Sequence, residues 1–372
     1  MTPQENSPLE TLSLAYKNPE EAIKQTEYSG WPIFGCLTEH IPVELIHAAE
    51  ILPVRLQSGI EAPIASHYLQ PFVCTYSKVT ISKAMSGEYE YLDGLLAAKT
   101  CSVAVSLFQI WNYQKPLKFS KLISLPGNHD KEAIDYFIKE LIDLQTDLEN
   151  FKGIKIVEGR LSESIELYNQ LRKAANSLWI ERDKGNLNLS AGDLIKALKG
   201  SQMLPPEVSL KLLNALHKEA VNGKNYKGKN RLLLLGNDYA DVSIIETLEQ
   251  AGGFVVLDAT DNIQSFFKPI PIKEEDPLKQ LTSYYLSKVS GAYRLSYEER
   301  WKNINDLIQK WDIHACINLV QKYCETRMFD APLLTESLNA LGLPSLKLEI
   351  DDISTGTNQI KTRVEAFLEM IK

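Results

Sequence analysis

Cysteine is the residue type with the most chemistry to offer here, and three of the five cysteines sit where an apolar run gives way to polar residues. They are Cys74 in QPFVCTYSK, Cys101 in AAKTCSVAV and Cys324 in LVQKYCETR. Thiolates can hold zinc or an iron–sulfur cluster. The gaps between these three are far too long for a zinc knuckle or a ferredoxin-type run, so only folding can bring the sulfurs together. Plain packing competes with this reading, because free cysteine is among the most buried residue types. Cys316, inside the apolar run IHACINLV, is assigned to the core on that ground. Cys36, which ends the run PIFGC, stays open between the two readings.

A second group of reactive residues lies in CLTEHIPVELIH, where Glu39 and Glu44 flank His40-Ile41-Pro42. A carboxylate beside a helix start commonly caps the helix or meets its dipole. His40 in a loop can donate to a ligand carbonyl or shuttle a proton, whereas His47, further along, can simply pack. The glycines add little. Gly236-Asn-Asp-Tyr-Ala-Asp lacks the GxGxxG pattern and no GxxxxGK[ST] occurs, which argues against a nucleotide-binding P-loop. HExxH, GxSxG and CxxC are also missing, so zinc-peptidase, hydrolase and thioredoxin readings lack support.

The elements that must position these side chains read as two α/β units. From Trp31 to Leu56 the pattern is strand, loop, helix, strand, with Pro42 suited to a helix start because its missing N–H needs no partner there. QPFVCTYSKVTISKAM has a helical look after Pro71, with Cys74 just inside the helix start. DGLLAA is a buried strand that leads through Thr100 and Cys101 into the helix-like VAVSLFQIWNYQ, and FSKLISL is a further strand. Lys131 to about Val221 has helical periodicity, punctuated at Leu189-Ser-Ala-Gly-Asp193 and Leu204-Pro-Pro206. A charged turn from Asn222 to Asn230 then opens a second unit: RLLLLG, DVSIIETLEQAG and FVVLDA, followed by IHACINLV, the bend QKYCETR, APLLTESLNALG and PSLKLEID.

Short helices between short apolar strands imply parallel sheets with right-handed crossovers, and ligands in such sheets sit beyond the carboxyl ends of the strands. Cys36, Cys101 and Cys324 fall there, and Cys74 can face the same crevice. On placement alone, Cys101 and Cys324 remain open to a site or a packing role. The expected organisation is an N-terminal helical extension (1–30), a first α/β domain (31–155), a helical connection (156–225) and a second α/β domain (226–372). With 372 residues and 44% hydrophobic content, separate cores are expected.

Composition removes several function classes. The net charge is −8, with lysine and arginine dispersed, which opposes a nucleic-acid partner. No apolar stretch approaches the roughly 18 to 20 residues that span a bilayer. The start MTPQENSPLETLSLAY lacks a signal-peptide pattern, so no membrane partner and a cytoplasmic location are expected. In a reducing compartment the five cysteines should stay thiols or bind metal.

As a set, the segments resemble a known family. GCLTEHIPVELIHAAEILPVRL is similar to the opening motif of the 2-hydroxyacyl-CoA dehydratase and benzoyl-CoA reductase family, which includes the 2-hydroxyglutaryl-CoA dehydratase D-component. The resemblance continues through QPFVCTYSK, AAKTC, IELYNQLRKAANSLW, RLLLLGNDYADVSIIETLEQAGGFVVLD and QKYCETRMFDAPLL to LPSLKLEIDDISTGTNQIKTRVEAFLEMI. It implies two Rossmann- or flavodoxin-like lobes with a [4Fe-4S] cluster between them, held by Cys74, Cys101 and Cys324 with one iron open. It implies a paralogous partner subunit, an ATP-dependent iron–sulfur activator that delivers an electron, and an acyl-CoA or aryl-CoA substrate. The reaction would be radical dehydration of a 2-hydroxyacyl-CoA or reduction of an aryl-CoA ring. Glu44, at the motif's Pro-x-Glu position, and His40 would serve the substrate side.

Two departures bear on these expectations. Ser102 follows Cys101 where the family often has aspartate. Relatives with a double-cubane cluster need about six thiolates, and this chain has five cysteines, so a single cubane is expected. The competing reading is a non-catalytic α/β scaffold subunit that keeps the fold while its partner supplies the reaction. A zinc site built from the same thiolates is the third class.

Overall fold

The structure is a computed structural model that describes residues 7–26, 30–57, 59–157, 159–221, 230–271, 276–288, 293–294, 296–351 and 357–371. The expected turn at 222–229 and part of the C-terminal motif, 352–356, lie outside the described residues.

Two four-stranded parallel sheets carry the architecture. The first contains β1 (Ile33–Cys36), β2 (Leu52–Arg55), β3 (Gly94–Ala98) and β4 (Phe119–Ile123) in the order β2-β1-β3-β4. The second contains β5 (Asn230–Gly236), β6 (Gly253–Asp258), β7 (Ala315–Gln321) and β8 (Ser345–Ile350) in the order β6-β5-β7-β8. Every pairing is parallel, and the two orders are equivalent: each lobe builds outward from its first strand and reverses between its first and third. The central strands are unbroken apolar runs because helices cover both faces. β3 and β7 are buried along their whole length, whereas the edge strands β4 and β8 alternate with solvent. The expected α/β class with two Rossmann-like lobes is what the chain forms.

The helical segment between the lobes is better described as mortar than as a linker. Helix Arg160–Asp183 packs on Val43–Ala48 of the first lobe and on β6 and Asp261–Phe267 of the second. Ser190 caps Ala191–Gly200 by accepting from Asp193 N, and Pro206 opens Pro206–Ala220. The first helix, Pro8–Lys17, lies on both, approaching so closely that a Cβ on Gly200 would meet the Leu12 carbonyl oxygen at 1.9 Å. As a result the expected separate cores merge. One apolar cluster runs from Leu52, Val54 and Leu95 of the first sheet to Leu232–Leu235 and Ile317 of the second. A smaller cluster on the other face of the first sheet takes in Leu281, Tyr284 and Tyr285 of helix Pro277–Ser287, a second-lobe element. Long shared helices fix the lobes against each other, so the space between their strand ends has a defined shape. Among the described residues no helix is long and apolar enough to cross a membrane.

Candidate functional site

The carboxyl ends of the four inner strands, β1 and β3 in one lobe and β5 and β7 in the other, face a common cleft of about 800 Å³. Its lining follows the strand ends: Leu37, Thr38 and Glu39 after β1, Thr100 and Cys101 after β3, Asn237 and Asp238 after β5, and Gln321 and Cys324 at β7. Each lobe therefore contributes its topological switch point, where open α/β sheets bind ligands. Gly236 makes the β5 exit possible. Its φ is +101°, and a Cβ there would meet the Leu319 carbonyl oxygen at 2.0 Å.

Cys74, Cys101 and Cys324 all line this cleft, and each is the residue that begins a helix. Cys74 precedes Thr75–Ser86, Cys101 precedes Ser102–Gln114 and Cys324 precedes Glu325–Ala340. The expectation placed Cys74 just inside its helix; it is instead the N-cap, like the other two. Three helix N-termini thus bring their positive ends to the cleft, and Cys101 caps its helix directly through sulfur, whereas the Cys74 and Cys324 side chains make no cap hydrogen bond.

Each sulfur also has its own hydrogen-bond partner. Ala104 N donates to Cys101 Sγ at 3.4 Å, Asn237 Nδ2 donates to Cys324 Sγ at 3.3 Å, and Ser77 Oγ lies 3.4 Å from Cys74 Sγ. Tyr323, immediately before Cys324, has a φ of +65°, a backbone state that a bulky residue adopts only when its surroundings demand it. Its ring is held edge-on against Phe72, so the two cysteine-bearing turns are braced on each other.

Without a bound cation Cys74 and Cys101 are thiols. Burial pushes the Cys74 thiol up to about 11, against the pull of its Ser77 hydrogen bond, and the charges of Cys324 and Cys101 raise it further. Burial likewise raises Cys101, opposed by the Ala104 amide and reinforced by Cys324. The sulfurs repel one another as anions, and a positively charged group between them would displace the protons. Among the described residues no three His, Cys, Asp or Glu side chains close around a single ion.

The other sequence candidates fall elsewhere. Cys316 is fully buried in β7, where burial raises its thiol to about 12, and it packs in the core as expected. Cys36 ends β1 with its thiol also raised to about 12 by burial, and it lines a smaller adjoining cavity that shares Thr38, Glu39 and Arg55 with the cleft. Glu44 does not line the cysteine cleft. It is fully buried, forming an ion pair with Arg172 and accepting a 2.8 Å hydrogen bond from Tyr285 Oη. That cluster ties helix Val43–Ala48 to the central helix and to Pro277–Ser287. His47 is fixed between Ser164 and Glu207.

His40 is also fully buried, but its Nδ1 lies 3.0 Å from Tyr293 Oη, and Tyr293 does line the cleft. Burial, with help from Lys288, Arg294 and Arg55, holds the imidazole well below its usual range, so it is neutral. Sequence reasoning missed Asn237, Asp238, Arg55 and Tyr293. The first two follow directly from the strand-end rule applied to RLLLLG, while nothing in the local sequence marks Tyr293.

Residues 39–371 match the family model described as 2-hydroxyglutaryl-CoA dehydratase, D-component. The chain belongs to this family. It is 22% identical to a benzoyl-CoA reductase subunit of Thauera aromatica, over 91% of each chain. It is 23% identical to the (R)-phenyllactyl-CoA dehydratase beta subunit of Clostridium sporogenes, over 95% of this chain and 96% of that one. To the (R)-2-hydroxyglutaryl-CoA dehydratase beta subunit of Acidaminococcus fermentans it is 20% identical over 98% of each. Membership makes it an enzyme subunit of the dehydratase or benzoyl-CoA reductase type.

Proposed function

We propose that this chain is the iron–sulfur subunit of a cytoplasmic acyl-CoA-processing complex, with Cys74, Cys101 and Cys324 holding one [4Fe-4S] cluster. The complex would carry out radical 2-hydroxyacyl-CoA dehydration or aryl-CoA reduction. The observation that carries the proposal is the arrangement of three thiols as the N-caps of three helices around one cleft at facing strand ends. When bound, such a cluster supplies single-electron transfer and one open iron for an oxygen ligand.

The chain's own residues do the rest. The three helix N-termini and the Asn237 amide favour the anionic charge of the thiolates. Leu37, Ala104 and Leu107 give the cleft an apolar wall that limits water around a reactive acyl group, while Arg55 brings a fixed positive charge to it. A related subunit and an ATP-dependent activator complete the system, consistent with relatives that are themselves named as subunits of larger enzymes.

The corresponding helix start in the second lobe explains why three thiolates rather than four would serve. There Thr260 is the N-cap and Asp261 follows, its carboxylate ion-paired with Arg327. The duplicated fold offers four such helix starts around the cleft, and the fourth carries Thr260 rather than cysteine at its N-cap.

Anaerobic purification followed by iron and acid-labile sulfide analysis tests the reading, with about four of each expected per chain. Replacing Cys74, Cys101 or Cys324 by alanine should lower both and abolish turnover, whereas Cys316→Ala should leave both intact. A protein that stays free of iron after anaerobic reconstitution would refute the proposal. Full complex activity with all three cysteines replaced would instead make the chain a scaffold.

A further inference from the structure

The proposed reaction needs a proton source at the cleft, and the hydroxyl groups that line it are not equivalent. Tyr76 Oη is committed to the Leu37 and Leu56 carbonyl oxygens at 2.6 and 3.3 Å. Thr38 Oγ1 accepts from Ala98 N at 2.8 Å. Tyr293 Oη alone is set between two titratable partners, Glu39 Oε1 at 2.5 Å and His40 Nδ1 at 3.0 Å. Because its one proton is directed at Glu39, His40 Nδ1–H donates to the phenol oxygen. That leaves His40 Nε2 as a lone pair, and this buried atom has no hydrogen-bond partner among the described residues.

The carboxylates are not equivalent either. Asp238 is taken by Lys199 at 2.6 Å, and Asp261 is taken by Arg327. Glu39 meets its nearest cation, Arg55, only at 3.7 Å, and Lys288 Nζ reaches its backbone oxygen at 3.0 Å rather than its carboxylate. The cations facing the trio are Arg55, Lys288 and Arg294, which favour transient negative charge on the phenol oxygen or the carboxylate, while Cys101 and Tyr76 face Glu39 as ionisable groups of the opposite sign.

We propose that Tyr293 is the catalytic acid of the cleft, protonating the 2-hydroxyl that leaves an acyl-thioester substrate, and that Glu39 is the paired base. This inference rests on the dehydratase arm of the reading above. The C2–O bond breaks with its electron pair moving to oxygen, and the proton from Tyr293 completes the departing water. Glu39 accepts the proton lost from C3, whose C–H electron pair becomes the new C=C bond. The proton then passes along the 2.5 Å hydrogen bond to the phenol oxygen, so the pair ends as it began. Overall the substrate loses one water, with no net oxidation. His40, neutral and buried, positions the phenol.

The test uses the anaerobic complex with its partner subunit and reduced activator, assayed with lactoyl-CoA, phenyllactyl-CoA, 2-hydroxyglutaryl-CoA and benzoyl-CoA. Tyr293→Phe should lower kcat for the hydroxyacyl substrate by about 100-fold or more, the usual span of general acid–base catalysis, with KM nearly unchanged. Iron and sulfide content should match the parent complex. Glu39→Gln should lower kcat similarly, with iron and sulfide retained. Half or more of the parental kcat in Tyr293→Phe with iron retained overturns the role of Tyr293 and leaves the cluster reading standing. So does turnover of benzoyl-CoA alone, which removes the leaving hydroxyl. A parental complex without iron overturns the cluster reading and this inference together. If Tyr293→Phe fails to fold, Glu39→Gln decides, and half or more of the parental kcat there with iron retained overturns the pair.

Discussion

The buried Glu44–Arg172 pair offers the sharpest test of how the lobes are held. Both side chains are fully excluded from solvent, and Tyr285 Oη donates to the second carboxylate oxygen. Arg172 keeps a 2.9 Å bond from Nε to the Phe266 carbonyl oxygen and sits 5.3 Å from the Tyr284 ring centroid, but its Nη1 already lacks a partner. Glu44→Ala leaves that guanidinium buried and uncompensated, a loss of about 3–5 kcal/mol. Orphaning the Tyr285 hydroxyl adds about 1 kcal/mol or more. With a urea slope of about 4 kcal/mol per molar for a chain this long, the midpoint should fall by about 1 M. Far-UV circular dichroism and tryptophan fluorescence would read it. The double variant Glu44→Leu/Arg172→Met should recover most of the loss, since apolar replacement of a buried pair is often neutral. A Glu44→Ala midpoint within about 0.2 M of the parent, a change below about 1 kcal/mol, would refute the reasoning. So would a double variant no more stable than Glu44→Ala.

Two further outcomes follow from the same region. Burial, aided by the charge of Arg172, lowers Lys288 to about 7. Between there and the ordinary lysine value the unfolded chain binds more protons than the folded one, so stability from this group rises with pH and its cost is fully present below about pH 7. Lys288→Met should therefore stabilise the chain by a few kcal/mol at pH 6 and by much less at pH 10, as checked by urea midpoints at both values; equal effects at the two would refute it. Asn237→Ala removes the amide donor to Cys324 Sγ. Losing a hydrogen bond of about 1 kcal/mol should lower the midpoint potential of a bound cluster by roughly 40 mV in a redox titration followed by electron-paramagnetic resonance.

What could be read in advance was set by local rules, and what could not was set by long-range packing. The strands and the helices beginning at Cys101 and Cys324 were legible because apolar runs of four to seven residues ending in polar turns have few other uses. The surroundings of Glu44 were not legible because a carboxylate two residues after a motif proline looks the same in sequence whether it faces a ligand or an arginine. Only the fold brings Arg172, far along the chain, to it. Tyr293 was invisible for the same reason, since its partners Glu39 and His40 lie in the other lobe.

The two lobes together account for why the cysteines are distributed so unevenly in sequence. A single α/β lobe presents one switch point, and a ligand there meets one strand-to-helix turn after each inner strand. Two lobes with equivalent strand orders, clamped by shared helices, set two switch points against each other, so that Cys101 and Cys324 occupy equivalent turns on opposite walls. Cys74 comes from the helix that follows β2, whose counterpart after β6 carries Thr260 and the ion-paired Asp261. The asymmetry of the site is thus a departure from a symmetric scaffold at one helix start. Thr260→Cys, at the N-cap position that Cys74 holds in the first lobe, with Asp261→Ala would restore the symmetry. If the open iron depends on that departure, the double variant should retain cluster iron yet lose turnover, and undiminished turnover would sink the argument.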